Sequence, residues 1–521
     1  MTSIDIGNGS SNNLILSDTF INAKTRQNVK IELLHDRIKF SSINSSLPDL
    51  IIFLKDIAGS SIGKSHKKDN SSSYLILYVY LKNEINSKRK RLTYELEFAK
   101  FEIYDENFKH VSNWHNELDR LLKEKIKKSS GCCNKLKPYL VFVNPKSGAG
   151  KAKNIYFERV CPIFAEANIS DTLVFTQNPN FAREYIKSVK CLDEFAGILV
   201  ISGDGLIHEV INGLLERPDW KTAIKMPFGH IPGGSANALS CCVGHLTKEV
   251  FKNLSLESFA AQSAFNITKA IPTPIDLVAF ELCDKKIVHS FLSFEWAIIA
   301  DVDLESEKYR YLGGLRFTLG ALKRIMSLRI YRGRLSFLPT DEYINYKPKS
   351  PSIKLTRNNN LEEINHSNIF IETNNELRTN FKYLPELDKP VPNDWLIVED
   401  NFVLFLVMYL PLISNDFLAA PEATFNDGNM HLIFIKEGIT KSQLLKLLTD
   451  TENGNYLNSD LVEYVKIKAF RLEPLGLVTG QNQVSNTNGG IMMVDGERVP
   501  TGPIQAEIMP SMGNILANLK D

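Results

Sequence analysis

Between residues 139 and 280, short apolar runs alternate with stretches whose apolar positions recur at helical spacing. Residues 139–143, 172–175 and 198–201 read as buried strands, and 152–167, 182–189 and 206–215 read as helices. That alternation predicts a parallel sheet with helices on both faces, a Rossmann-like arrangement. The preceding residues have another rhythm. Period-two alternation in 30–40, 74–81 and 92–103 predicts strands, and the Ser-, Gly- and Lys-rich stretch 58–73 reads as a loop. Phe108, Val111, Trp114, His115, Leu118, Leu121 and Leu122 then fall on one side of an amphipathic helix. From about residue 286 the pattern is mostly β, and runs such as 402–407, 430–435 and 465–472 fit an antiparallel sandwich. The longest apolar run, 402–413, contains Pro411, is too short to span a bilayer, and predicts one or two buried strands. Two polar stretches, 340–394 and 480–490, interrupt this part. The first is rich in Asn, Lys and Pro and reads as a mobile surface insertion, with Ser350-Pro351 as a candidate phosphorylation site.

These rhythms divide the 521 residues into a β-rich extension over 1–136, an α/β domain over 137–285 and an antiparallel β-sandwich over 286–521. A basic run at 123–137 joins the first two. Strands closed by a tryptophan-bearing helix resemble, in architecture, the end of a pleckstrin-homology fold; a family-specific extension packed on the next domain is the alternative. A content of 43% hydrophobic and 23% charged residues describes a soluble globular protein, and a net charge of +1 leaves no basic footprint for nucleic acid. No apolar segment follows Met1, so no signal peptide is expected. The seven cysteines include the pairs Cys132-Cys133 and Cys241-Cys242 but lack the spacing of a disulfide framework or a zinc site. Reduced thiols in a cytoplasmic protein are the expectation, with palmitoylation of the first pair as the alternative.

Three glycine-rich turns follow predicted strands: NPKSGAGK at 144–151, SGDG at 202–205 and PGGSAN at 232–237. The first fails as a Walker A loop, because Pro145 stands where the first glycine is needed and Ala152 replaces the Mg²⁺-binding hydroxyl. Its glycines and Lys146 and Lys151 still offer N–H groups and charge to phosphate. In the second turn, Gly203 and Gly205 allow close backbone approach to phosphate. Asp204 suits a general base or positioning group for an attacking hydroxyl, or equally an N-cap for the helix from Leu206. The third turn, with Gly233, Gly234 and Ser235, favours a nucleotide site. Downstream, Asp301, Asp303, Glu305 and Glu307 crowd a short stretch before Lys308, Arg310 and Arg316. They read either as helix-dipole complements or as carboxylates for a cationic or polyhydroxyl head group, with arginines reaching phosphate.

The strings LVFVNP at 140–145, SGDGLIHEVING at 202–213, ERPDW at 216–220, IADVDLESEKYR at 299–310, RFTLG at 316–320 and VDGE at 494–497 together resemble the sphingosine kinases, within the diacylglycerol-kinase-like lipid kinase superfamily. The matches span roughly 138–510. The 202–205 element is shared broadly, including by NAD kinases and phosphofructokinases, whereas 299–310 resembles sphingosine kinase rather than ceramide or diacylglycerol kinase. The turn at 232–237 departs from the pattern, with Gly233 and Ala236 where relatives often have Ala and Gly. So does 177–179, which is less basic than in close relatives, and so does Ala321, where some relatives carry a hydroxyl.

The resemblance implies phosphorylation of the primary hydroxyl of sphingosine or a related long-chain base by ATP with Mg²⁺, with Asp204 as the catalytic carboxylate. Asn144, Lys146, Thr176, Asn180, Ser202, Gly203, Gly205, Glu209, Gly234 and Ser235 would line the nucleotide site. Arg310, Arg316, Asp495, Gly496 and Glu497 would close it from the second domain. Asp303, with Ser293 and Asp301, would hold the head group, and the apolar tail would enter a slot in the β-sandwich. No protein-bound metal site is implied, and a homodimer is left open. The cationic amine of sphingosine suits buried carboxylates, whereas ceramide and diacylglycerol are neutral. Leu319 and Leu322 beside Lys323 and Arg324 would serve transient membrane docking, against core packing as the alternative. Ceramide or diacylglycerol phosphorylation, and a non-catalytic lipid-binding scaffold, are the competing functions.

Overall fold

The computed structural model describes residues 14–43, 48–64, 71–83, 88–130, 137–249, 251, 254–358, 381–479, 483–485 and 489–519. The chain forms two compact units: one of Met1–Leu136, Phe157–Ser170 and Ala261–Ile271, the other of Lys137–Tyr156, Asp171–Ala260 and Pro272–Asp521.

In the first unit, β1 (Leu14–Asn22), β2 (Asn28–Leu34), β3 (Arg37–Ser42), β4 (Leu50–Phe53), β5 (Ile57–Lys64), β6 (Ser73–Lys82) and β7 (Arg89–Phe98) form one antiparallel sheet. Its order is β4-β3-β2-β1-β7-β6-β5, and α1 (Tyr104–Ser130) follows it. The single strand expected over 30–40 is two. Buried positions shift from odd (Ile31, Leu33) to even (Ile38, Phe40) across His35-Asp36, the mark of a tight turn. The loop expected over 58–73 is strand β5 as far as Lys64, and residues 65–70 lie outside those described. Its small residues have a packing cause: a Cβ on Gly59 would sit 2.1 Å from the Glu166 carbonyl oxygen, so helix Cys161–Glu166 can approach only a glycine. On α1, Val111, Trp114, Leu118 and Leu121 are buried as the helical spacing requires, while Phe108 is 41% exposed. Trp114 meets Phe20 edge-on at 5.4 Å, and its indole N–H donates to Asp18 Oδ2 at 3.1 Å. Cys132 and Cys133 lie outside the described residues.

In the second unit, β8 (Tyr139–Val143), β9 (Asp171–Phe175), β10 (Gly197–Ser202) and β11 (Phe228–Pro232) are parallel in the order β9-β8-β10-β11. Helices α2 (Phe181–Ser188), α3 (Asp204–Leu215) and α4 (Ala238–Leu246) connect or follow them. Strand order reverses between β8 and β10, and such a switch point leaves a crevice at the carboxyl ends of the strands.

The remainder is mainly antiparallel: β12 (Ile271–Glu281), β13 (Ile287–Ser290), β14 (Ser293–Ala297), α5 (Ile298–Ser306), α6 (Leu315–Met326), β15 (Tyr331–Pro339), β16 (Leu396–Met408), β17 (Met430–Lys436), α7 (Lys441–Asp450), β18 (Glu463–Thr479), the hairpin β19 (Met492–Val494) and β20 (Glu497–Val499), and β21 (Ile504–Ala517). Strand β21 pairs antiparallel with β18 and, through Phe228 and Ile515, parallel with β11. The expected α/β and β parts therefore share a continuous sheet, an arrangement invisible to local pattern. Phe280, Phe294, Trp296, Phe402, Phe405 and Phe470 build an aromatic core between the antiparallel strands. The apolar run 402–413 ends β16 and continues past Pro411 into the short strand Leu412–Ser414.

The segment expected to be a mobile insertion is anchored at its described ends. Leu384 and Val391 pack with Trp395, and Glu507 accepts the backbone N–H groups of Lys382, Tyr383 and Leu384. Residues 359–380 lie outside the described set. Ser350 is half-buried, its N–H donating to Glu463 Oε1 at 2.9 Å. Among the described residues, no helix is long and apolar enough to cross a membrane.

Candidate active site

The turns after β8, β10 and β11 converge at the carboxyl ends of the parallel strands. The Gly233 N–H donates to the Ser202 carbonyl at 2.8 Å. A Cβ on Gly234 would lie 2.4 Å from Gly203 Cα, so the second and third turns touch backbone to backbone. Asn237, with φ of +51°, fixes the third turn by accepting from Gly234 N–H (2.7 Å) and donating to Gly234 O (2.9 Å). Sequence reasoning missed Asn237; its place three residues after a glycine, just before a helix, was the available signal.

These turns open into a cavity of about 1580 Å³ that also reaches the β-sandwich. Pockets for drug-sized ligands measure about 300–1,000 Å³, so this volume has room for more than one such ligand. Asn144, Lys146, Thr176, Asn180, Ser202, Gly203, Asp204, Gly205, Glu209, Gly234, Ser235, Asp303, Arg316, Asp495, Gly496 and Glu497 all line it. Ile298, Val302, Phe317, Leu404, Ile435 and Leu447 supply apolar wall from α5, α6, β16, β17 and α7.

Asp204 begins α3 but caps another helix. Its Oδ2 and Oδ1 accept from Ala238 and Leu239 N–H, both at 3.0 Å, at the start of α4. The anticipated cap is therefore a tertiary contact, one that holds the carboxylate rigid. Each oxygen has two lone pairs, so one per oxygen remains for a ligand. Buried His230 lies 3.9 Å from Asp204 Oδ1; its own nitrogens meet the Ser202 carbonyl (2.9 Å) and Ser240 Oγ (3.0 Å). Burial lowers the His230 pKa, favouring the neutral ring.

Glu209, one turn and a half along α3, accepts from the Asn180 (2.9 Å) and Ala182 (3.1 Å) N–H groups, shaping the 176–180 loop. Burial pushes its carboxyl up, opposed by those backbone donors. Asp495 is fully enclosed. It accepts from Ser290 Oγ (2.6 Å), from the N–H groups of Phe291, Leu292 and Ser293, and from His208 Nδ1 (2.8 Å). This nest fixes the turn whose Asp495 and Gly496 have φ of +53° and +77°. Glu497 reaches back to α3, where a Cβ on Gly205 would come within 2.4 Å of Glu497 Oε1. His208 joins Asp204 on the cavity wall, at i and i+4 of one helix, and was not anticipated.

Asp303 bonds the buried Arg316, Nη2 to Oδ1 at 3.0 Å, and Arg316 also donates to Ser306 Oγ and packs on the Phe317 ring. Arg316 is thus paired with Asp303 rather than standing apart from it. Ser293 and Asp301 lie behind the wall, not on it. Ser293 Oγ donates to Glu295 Oε1 at 3.0 Å, and it is Glu295 that faces the cavity. Asp301 accepts from Tyr331 OH (3.0 and 3.1 Å) and lies 3.4 Å from Arg329; burial raises its pKa. Arg324, expected at the surface, is turned inward to Glu305. The Arg310 side chain lies outside the described set. Among the described residues no cluster of three or more metal-ligating side chains occurs.

Residues 138–277 match the diacylglycerol kinase catalytic domain, and 412–517 match the YegS C-terminal NAD kinase β-sandwich-like domain. The chain is 35% identical over 375 residues to human sphingosine kinase 1, covering 71% of this chain and 88% of that protein. It is 29% identical over 569 residues to human sphingosine kinase 2, covering 89% and 85% respectively. It is 30% identical over 384 residues to sphingoid long chain base kinase 4 of Schizosaccharomyces pombe, covering 73% and 74%. With three glycine turns, a carboxylate held by two backbone N–H groups and further buried carboxyls around one cavity, and with relatives of this identity and coverage, the chain belongs to the sphingosine kinase family.

Proposed function

We propose that the protein transfers the γ-phosphate of ATP to the primary hydroxyl of sphingosine or a related long-chain base, giving the 1-phosphate and ADP. The observation that carries this reading is the shared cavity. Asp204 stands at the glycine turns, while Asp303 and the apolar wall belong to the same space. Asp204 takes the hydroxyl proton as the oxygen–phosphorus bond forms and the bond from the γ-phosphorus to the bridging oxygen breaks. Asn144, Lys146, Thr176, Asn180 and the turns at 202–205 and 234–235 hold the nucleotide, and Glu209 shapes the 176–180 contact. His208 and Asp495 keep the 495–497 turn closed over α3. Asp303 pairs with the amine, and the hydrocarbon tail follows the apolar wall.

Mg²⁺ fits this donor set as a companion of ATP. With few carboxylates converging, the ion would be held by phosphate oxygens, water and one or two of Asp204 and Glu497. It would neutralise charge developing on the phosphates.

Charge complementarity at Asp303 predicts selectivity. Asp303→Asn should lower kcat/KM for sphingosine by about 10- to 100-fold, the worth of a charge-assisted hydrogen bond. It should leave the KM for ATP nearly unchanged. Phosphorylation of mixed sphingosine, ceramide and diacylglycerol checks this; preferred labelling of a neutral lipid by the unaltered protein would overturn the assignment.

The substrate dissolves in membranes, and α6 carries a surface for reaching it. Leu315, Leu319, Leu322 and Met326 recur at i, i+4, i+7 and i+11, exposed by 67, 50, 41 and 65%, with Lys323 alongside. We read this stripe as the membrane-docking face. Leu315→Glu with Leu319→Glu should reduce sedimentation with anionic vesicles several-fold and slow turnover of vesicle-borne substrate, while activity on detergent-dispersed substrate persists. Unchanged sedimentation would assign docking elsewhere. The strand order and closing helix of the first unit support a pleckstrin-homology-like reading of that unit.

A further inference from the structure

The cavity wall carries a carboxyl that the reaction described above leaves unused. Glu295, on β14 just before α5, is 4% exposed yet lines the cavity. A carboxyl rarely occupies such a place without a partner. Its Oε1 accepts from Ser293 Oγ at 3.0 Å, and among the described residues Oε2 has no hydrogen-bond partner. Strand pairing fixes it on both sides, with Leu406 of β16 and Met493 of β19 as its neighbours. Resting on the long-chain-base reading, we propose that Glu295 is a second head-group recognition residue, its Oε2 hydrogen-bonded to a secondary hydroxyl of the base.

The electrostatics give that oxygen its role. Burial, and then the negative charge of Asp303, push the Glu295 carboxyl well above the usual carboxylate range. The Arg316 guanidinium is bonded to Asp303, whereas the partner bonded to Glu295 is a hydroxyl. Two carboxyls in one buried site divide the roles: the ionised one suits the ammonium group, and the neutral one donates O–H to a hydroxyl oxygen. Since Ser293 already donates to Oε1, the proton belongs on Oε2, toward the cavity. A cation would not require this second group. A base with hydroxyls beyond the reacting one would.

The test compares three saturated bases: 2-aminooctadecan-1-ol, which has only the amine and the reacting hydroxyl; sphinganine, which adds the C3 hydroxyl; and 4-hydroxysphinganine, which adds C4. Ratios of kcat/KM are read within each protein, so partial misfolding of a variant cancels. The unaltered protein should gain about tenfold at the step that adds the recognised hydroxyl, and that step says whether it is C3 or C4. Glu295→Ala should lose that gain, and Glu295→Gln, which keeps a donor and an acceptor, should retain most of it. The KM for ATP should not move in either. Ratios in Glu295→Ala equal to those of the unaltered protein would overturn the assignment and leave Glu295 as a packing residue. Failure of the unaltered protein to phosphorylate any of the three would overturn the kinase reading and this proposal with it.

Discussion

Asp204→Asn should lower turnover by about 10²- to 10⁴-fold, the range typical of a lost general base. Nucleotide binding should persist. The amide cannot take the hydroxyl proton, and its NH₂ would face a backbone N–H where the carboxylate now accepts from both Ala238 and Leu239. Losing half of that cap costs about 1 kcal/mol of stability, too little to unfold the unit. ATP titration and thermal unfolding separate the two effects. Weak turnover with normal ATP affinity and a slightly lowered melting temperature supports a chemical role. Near-normal turnover with a lowered melting temperature would leave Asp204 as a helix cap alone.

Gly234→Ala should be nearly as severe for a different reason. Its new methyl would meet Gly203 Cα at 2.4 Å and Gly203 N at 2.8 Å, both backbone atoms that no rotamer change can clear. The second and third turns must separate, and overpacking of this kind costs about 1–3 kcal/mol. Displacing a phosphate-positioning turn by about 1 Å is enough for about a 10²-fold loss in turnover. A raised KM for ATP with sphingosine binding intact is the expected signature, measured by nucleotide titration and by binding of a fluorescent base. An unchanged KM for ATP would mean that the third turn does not touch the nucleotide.

Much of this arrangement is legible in the chain because the three glycine turns are local in sequence. Each glycine turn directly follows an apolar strand, so β8, β10 and β11 and the positions of Asn144, Asp204 and Gly234 follow from short-range pattern. The acidic wall of the cavity is less legible, because its geometry depends on tertiary pairing. Asp301 and Asp303 are two residues apart on α5, about 200° around the helix, so only one can face the cavity, and the acidic run does not say which. Likewise Ser293 and Glu295 fall on the same face of β14 by alternation, but Glu295 lines the cavity and Ser293 Oγ donates to its Oε1 from behind. His208 and Asp495 are 287 residues apart, and only the fold brings them to 2.8 Å. The first unit shows the same limit, since Gly59 and its neighbours resemble a loop until helix Cys161–Glu166 is seen packed against β5.

The central claim is that Asp204 and Asp303 serve one phosphoryl transfer to a long-chain base. Incubating the purified chain with γ-labelled ATP, Mg²⁺ and sphingosine, and locating the label in the lipid product by mass spectrometry, tests it most directly. The expected result is label on the C1 oxygen of sphingosine, reduced by about 10²- to 10⁴-fold with Asp204→Asn and by about 10- to 100-fold with Asp303→Asn. Unlabelled sphingosine under conditions where ATP binds, or label of equal intensity in all three proteins, would contradict it.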